Sequence, residues 1–327
     1  MTTPYKILVV GGAGFIGSHM TLMLQEHGYE TVVFDNFQTG FKEAVHGTHI
    51  EGDLTDRATL EKVFAQSFDA VMHFAASTSV DESVYKPNHY YRNNIVGTLN
   101  LLDTMVEHGA KKFIFSSTAA VYGEPQQLPV DEHHPKKPVN PYGFTKWVIE
   151  QALADYETAF DFRSIAFRYF NAAGCDPKMR TGERRNPPSH LIPIVLEVAQ
   201  KKRPHFNVFG TDYPTKDGTC VRDFVHVTDL CDAHLKALES LLHGGKSGRY
   251  NLGSGSGYSV LEVVEAARRI TGKSIEVKQE GRRAGDSVQL VADSKKAQKE
   301  LGWKPKHSDL DSMIQTTWDW MNQKDAR

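Results

Sequence analysis

Residues 7–17, Ile7-Leu8-Val9-Val10-Gly11-Gly12-Ala13-Gly14-Phe15-Ile16-Gly17, carry four apolar positions straight into a cluster of glycines. Four consecutive apolar residues suit a short strand buried on both faces, and Gly12-x-Gly14-x-x-Gly17 has the spacing that turns such a strand sharply into a helix. The same glycines leave backbone N–H groups at the helix N-terminus open to a pyrophosphate, where the helix dipole favours negative charge. Working outward, an amphipathic run over 15–27 is followed by a second apolar strand, Thr31-Val32-Val33-Phe34, that ends in Asp35. Asp35 stands eighteen residues past Gly17, close to where a dinucleotide fold places the acid that accepts the adenosine ribose hydroxyls. A carboxylate there repels a 2′-phosphate, so the cofactor is read as NAD rather than NADP.

Beyond Asp35 the alternation continues. Glu51-Gly52-Asp53-Leu54 leads into a helical pattern over 55–66, and Ala70-Val71-Met72-His73-Phe74 reads as a buried strand opening onto Ala75-Ala76. A long helical segment is expected after Pro87, and Phe113-Ile114-Phe115 is a further buried strand ahead of Ser116-Ser117-Thr118. Apolar strands separated by helices predict a parallel sheet covered on both faces, a Rossmann-type doubly wound α/β domain with ligands at the carboxyl ends of its strands. The pattern changes after Arg168-Tyr169-Phe170-Asn171: 174–190 is broken by glycine and proline, dense in charge and without periodicity, and reads as a mobile loop or domain junction. Mixed helices and short strands then predict a smaller C-terminal α/β substrate-binding domain. The division is 1–175 and 176–327, with part of 220–255 expected to pack back on the first domain.

With 38 Lys+Arg against 40 Asp+Glu, the formal net charge is −2. No basic surplus argues for nucleic acid or an anionic membrane, so any anion site must be local. No stretch approaches the roughly 20 apolar residues of a membrane span, and the N-terminus carries no signal-peptide pattern. Cys175, Cys220 and Cys231 follow no metal-ligand spacing, so no metal is expected and the thiols suit a reducing, cytoplasmic setting.

Pro141-Tyr142-Gly143-Phe144-Thr145-Lys146 opens a helix in which Tyr142 and Lys146, four apart, project from one face. An ammonium beside a phenol favours the phenolate and makes it a proton acceptor near neutral pH. Taken alone, Tyr-x-x-x-Lys also occurs on solvated helix faces. Here Thr118, at a strand end twenty-four residues upstream of Tyr142, offers a hydroxyl to hold the reacting oxygen. Arg222 and Arg283 each stand near an acid, Asp223 and Asp286, able to orient a guanidinium toward phosphate. Phe209 follows a short strand and suits stacking on a base or a place in the core.

The glycine turn, the strand-end Thr and Tyr-x-x-x-Lys together resemble the extended short-chain dehydrogenase/reductases. Further segments resemble the UDP-galactose 4-epimerase family: Asp35-Asn36, His73-Phe74-Ala75-Ala76, Glu82-Ser83-Val84, Asn93-Asn94, FSSTAAVYG at 115–123, RYFN at 168–171, DGTCVRDFVH at 217–226, YNLG at 250–253 and RRAGD at 282–286. The likeness spans nearly the whole chain. It implies Thr118, Tyr142 and Lys146 as the catalytic set. It further implies that NAD is held by Gly11, Gly14, Phe15, Ile16 and Gly17, by Asp35, Asn36, Asp53 and Leu54, and by Phe74, Ala75, Asn94, Tyr142, Lys146 and Tyr169. For the UDP-sugar it implies Thr118, Asn171, His190, Leu191, Asn207 and Phe209, then Arg222, Arg283, Asp286 and Leu290. Thr78 departs from the family, some members of which have a lysine there.

The activity implied is interconversion of UDP-galactose and UDP-glucose through a 4-keto sugar, with NAD tightly bound and no net redox change. Alternatives are a UDP-N-acetylglucosamine or dual-specificity 4-epimerase, a sugar-nucleotide dehydratase, and a non-catalytic NAD-binding regulator. Ala119-Ala120 after Thr118 weigh against the dehydratase, which typically has acids there, and the retained Tyr142–Lys146 pair weighs against the regulator. Leu290, where the family admits or excludes an N-acetyl group, implies a preference for the plain hexoses. The resemblance also implies a homodimer through helices near 87–108 and 143–158.

Overall fold

The structure, a computed structural model, describes residues 4–185, 187–283 and 287–323. Its first six strands are β1 (Lys6–Val10), β2 (Glu30–Asp35), β3 (Thr48–Glu51), β4 (Ala70–His73), β5 (Lys112–Thr118) and β6 (Arg163–Tyr169). Four more run to residue 252: β7 (Asn171–Ala173), β8 (Phe206–Phe209), β9 (Val221–His226) and β10 (Gly248–Leu252). The last three are β11 (Gly257–Ser259), β12 (Val277–Glu280) and β13 (Gln289–Leu290). A seven-stranded sheet runs in the order β10-β6-β5-β4-β1-β2-β3, every pairing parallel.

The helices that cover this sheet follow from the two-residue period of its strands. Ile7 and Val9 of β1 face α1 (Phe15–Glu26), whose Met20 and Leu24 share a core with Leu230, Ala237 and Leu241 of a helix at Val227–Leu242. Leu8 and Val10 face the other way, toward α2 (Arg57–Val63), α5 (Gly97–Glu107) and α6 (Pro141–Phe160). Between α2 and α5 lie α3 (Val80–Tyr85), α4 (Pro87–Tyr90) and a π-helical turn, Tyr91–Val96; α4, this turn and α5 run on without a break as the long helical segment expected after Pro87. A π-turn of this kind re-aims side chains, and it carries Asn94.

The remaining helices are α7 (Leu191–Ala199), α8 (Val227–Leu242, the one packed on α1), α9 (Val260–Thr271), α10 (Lys295–Leu301) and α11 (Leu310–Asn322). Val195 and Leu196 of α7, Val263 and Ala267 of α9, and Met313 and Ile314 of α11 form a separate core. Helix α9 opens on a capping box, Ser259 with Glu262, and stops at Gly272 in the left-handed conformation. A small sheet, β11-β9-β13 with β7 on β9, joins this unit to the first. The chain does not simply leave the first sheet near residue 175, because α8 and β10 return to it. Among the described residues no helix is long and apolar enough to cross a membrane.

Candidate active site

The carboxyl ends of β1, β2, β4, β5 and β6 open on one cleft of about 1030 Å³ that reaches across to β9 and β13. At β1 the chain turns at Gly11, whose φ is +80° and where a Cβ would lie 2.4 Å from the Ala75 nitrogen. Gly17 brings α1 down on this turn, since a Cβ there would stand 2.2 Å from the Gly11 carbonyl oxygen. No side chain caps the first turn of α1 and no acid lies in it. At Gly14 a Cβ would meet only the Gly11 carbonyl, at 3.3 Å. An uncapped helix start beside a position kept clear of side chain fits a pyrophosphate.

Asp35 closes the ribose end. Its Oδ2 accepts from the Ala13 N–H at 3.0 Å and its Oδ1 from the Phe37 N–H at 2.9 Å. Burial raises its pKa against those bonds. Asn36 donates to Asp53 at 2.7 Å. For Asp53, the opposing effect of burial is outweighed by bonds from Thr55 and Asn36, so its pKa is lowered. Gly11, Gly14, Phe15, Ile16 and Gly17 line the cleft, as do Asp35, Asn36, Leu54, Phe74 and Ala75. Asp53 and Asn94 stand behind the wall instead. Asn94 is buried and holds the Ser77 backbone at both its N–H and its carbonyl, 2.8 and 3.0 Å, and Thr145 of α6 at 3.1 Å. Gln38–Phe41 form a part of the ribose-end wall that the spacing arguments did not single out.

At β5 the chain enters a short turn capped by Thr118, which accepts from the Ala120 N–H at 3.2 Å. Gly143 lets α6 approach that turn, for a Cβ there would lie 2.6 Å from the Ala120 carbonyl oxygen. The approach sets Tyr142, one residue earlier, on the same wall of the cleft as Thr118. Burial raises the Tyr142 pKa, and the Thr118 hydroxyl opposes it. Lys146 is 3 % exposed, its Nζ 2.8 Å from the Ser116 carbonyl oxygen and 4.7 Å above the Phe115 ring. Burial pushes its pKa down to about 7. The expectation that Lys146 acidifies Tyr142 is therefore corrected for the protein by itself: the ammonium turns to a backbone carbonyl and does not offset the phenol's burial. Tyr169 lines the same wall. Behind it, the buried Arg168–Glu150 pair is tied to Ser117 and Tyr122.

On the facing wall, Asn171 donates to the Asp223 carbonyl at 2.8 Å. Arg222 reaches the Ser287 carbonyl at 2.7 Å, and Leu290 is its register partner across β9 and β13. Arg283 lies 5.6 Å over Phe209 and 3.9 Å from Asp81. His190 bonds Glu183 at 2.7 Å. Asn171, His190, Arg222, Arg283, Leu290 and Thr78 line the cleft, whereas Leu191, Asn207 and Phe209 are set back from it. Asp286 lies outside the described residues. The reading that Asp223 steadies Arg222 is also corrected. Neighbours on a strand face opposite ways, and the Asp223 carboxylate accepts instead from Ser254, Gly255 and Ala292. Among the described residues no group of His, Cys, Asp and Glu is arranged to hold a metal.

The chain is similar to known proteins over nearly its whole length. The UDP-glucose 4-epimerase of Rhizobium leguminosarum bv. trifolii is 50% identical over 316 residues, 96% of each chain. A crystal structure of UDP-glucose 4-epimerase from Brucella ovis in complex with NAD superposes with a TM-score of 0.94 at 46% identity, covering 96% of this chain and 98% of that one. The UDP-glucose 4-epimerase from Bifidobacterium longum, in complex with NAD+ and UDP, gives a TM-score of 0.92 at 40% identity over 98% of both. The model of the NAD dependent epimerase/dehydratase family matches residues 7–253, and the chain belongs to that family.

Proposed function

We propose that the protein interconverts UDP-galactose and UDP-glucose, with NAD as a bound cofactor that is regenerated in every cycle. The observation that carries this reading is the gathering of Thr118, Tyr142 and Lys146 in one cleft between the uncapped start of α1 and the wall of Arg222 and Leu290. Phe15, Ile16 and Asp35 hold the adenosine and pyrophosphate portions of NAD, and Lys146 and Tyr169 flank the nicotinamide end. When bound, NAD supplies the hydride acceptor and donor for carbon 4 of the sugar and a positive ring charge.

Thr118 steadies the sugar's 4-hydroxyl while Tyr142 takes its proton. Positive charge near a buried phenol favours the phenolate, so Tyr142 is a base in the loaded site and a weak acid in the protein by itself. The 4-keto sugar then presents its other face, Tyr142 returns the proton, and the configuration at carbon 4 is inverted. Arg222 and Arg283 hold the diphosphate throughout, and Asn171, His190, Leu191, Asn207 and Phe209 are the further sugar-nucleotide contacts. Leu290 gives an acetamide no polar partner, and each unsatisfied buried group costs about 1–3 kcal/mol, so plain hexoses are preferred to N-acetylhexosamines.

The working units are 1–175 for NAD and 176–327 for the sugar nucleotide, with part of 220–255, α8 and β10, packed on the sheet of the first. The protein acts as a homodimer through the helices near 87–108 and 143–158, where Tyr91, Val96 and Phe144 are exposed. Its three buried free thiols suit the cytoplasm. Incubation of purified protein with UDP-galactose, without added NAD, tests the reading. UDP-glucose should form, and no product, with or without added NAD, would overturn it.

A further inference from the structure

The stretch 174–190, between β7 and α7, is fastened twice to the first turn of α1. The Thr181 and Ser18 hydroxyls share a buried hydrogen bond at 2.9 Å, and the His190 ring lies 6.4 Å from that of Phe15. Between these ties Glu183 and Arg184 line the cleft. The Glu183 carboxylate is engaged by His190, and its carbonyl accepts from the Trp320 indole at 3.0 Å.

Arg184 is held differently. Its guanidinium lies 5.1 Å over the Trp320 ring, and its Nε is shielded with no acceptor among the described residues. Trp320, from α11, is 5 % exposed, and Gly182 makes room for it, since a Cβ there would lie 2.4 Å from the ring. An aromatic platform fixes a guanidinium without neutralising it. The ties on either side of it, Thr181 to Ser18 and His190 to Phe15, set Arg184 beside the start of α1, on the cofactor side of the cleft.

The charge balance at that end asks for such a residue. A helix start supplies about half a unit of positive charge, against two negative charges on a pyrophosphate. Of the other cations lining the cleft, Lys146 faces Ser116, Arg222 and Arg283 belong to the opposite wall, and Arg185 bonds Ser189 at 2.7 Å.

We propose that Arg184 is a cofactor-retaining residue, its guanidinium meeting the dinucleotide's pyrophosphate at the first turn of α1, with Trp320 as the positioning residue that holds it there. The inference rests on NAD being the bound cofactor. The experiment follows release of NAD from purified, loaded protein after dilution, by chromatography of nucleotide remaining per chain. Arg184→Ala should release NAD about tenfold faster or more, the size expected of one charge-assisted bond. Arg184→Lys should fall between, Trp320→Ala should speed release, and Trp320→Phe should restore it.

UDP affinity and the melting of nucleotide-free protein should not change in Arg184→Ala. Retention equal to wild type overturns the proposal, as does lost UDP affinity with retention intact. A lowered melting temperature without nucleotide, unrescued by lysine, makes the residue structural and overturns it too. Wild-type protein that purifies empty and is not stabilised by added NAD overturns the cofactor reading itself, and this inference with it.

Discussion

The two walls of the cleft are built on different plans. The cofactor wall gathers the ends of adjacent strands in one parallel sheet, with its side chains buried and held by backbone bonds: Asp35 by Ala13 and Phe37, Lys146 by Ser116. The substrate wall is assembled from β7, β9, β13 and the start of α7, and Arg283 and His190 stand largely in solvent. A wall of the first kind is preorganised. A wall of the second kind is completed by what binds to it, and its contributions to binding should vary with exposure.

The sharpest way to break this contrast is Tyr142→Phe. Proton transfer by a positioned group is worth ~10²-fold or more, so turnover should fall by at least that while NAD content and UDP affinity hold. Retained turnover in the purified variant would place the base elsewhere.

Next in size is the pair of arginines. Arg222 is half-buried against Ser287, and Arg222→Ala should weaken UDP binding by ~2–5 kcal/mol. The Arg283 side chain is 50% exposed, and Arg283→Ala should cost ~0–1 kcal/mol, as exposed ion pairs do. Calorimetric titration with UDP reads both; equal losses would erase the gradient of exposure. Smaller still is Leu290→Ser, which should raise kcat/KM on UDP-N-acetylglucosamine several-fold (roughly 1 kcal/mol) and leave UDP-galactose little changed. Equal wild-type kcat/KM on both substrate pairs would remove the basis for it.

The smallest effect concerns acid. Burial lowers the pKa of His73 to about 3 and of His19, His226 and His234 to about 4. Between the unfolded value near 6.5 and these, the unfolded chain binds more protons, so stability is lost as pH falls through that window. His226 caps α8 through its Nδ1, a role asparagine can keep. His226→Asn should therefore flatten part of the slope of melting temperature between pH 6.5 and 4. An unchanged slope would assign the acid sensitivity to other groups.

The contrast between the walls also explains what could be read from residues alone. Gly11 to Gly17 and Asp35 are close in sequence because one strand, one turn and one helix build that corner, so spacing reports geometry. The substrate wall brings Asn171, Arg222 and Leu290 together across long separations; residue chemistry pointed to Arg222, and family likeness alone to Asn171 and Leu290. Strand alternation separates Asp223 from Arg222, which was visible in principle once 221–226 was taken as a strand. The turn of Lys146 toward Ser116 was not, because a helical period of four gives a shared face and not where a flexible side chain ends. Arg184 sits in a charged stretch with no period at all. Its platform, Trp320, arrives from the far end of the chain.

One feature of the large sheet bears on how the protein is made. Strand β10 pairs along β6 from Gly248↔Ile165 to Leu252↔Tyr169, so an edge formed by residue 169 is not covered until residue 252 has been synthesised. During translation the nascent dinucleotide unit presents β6 as an open parallel edge, apolar at Ile165, Ala166 and Phe167, the kind of surface that recruits another strand. A truncation after β7 would freeze the chain in that state. The segment 174–247 is in this sense spliced into the sheet.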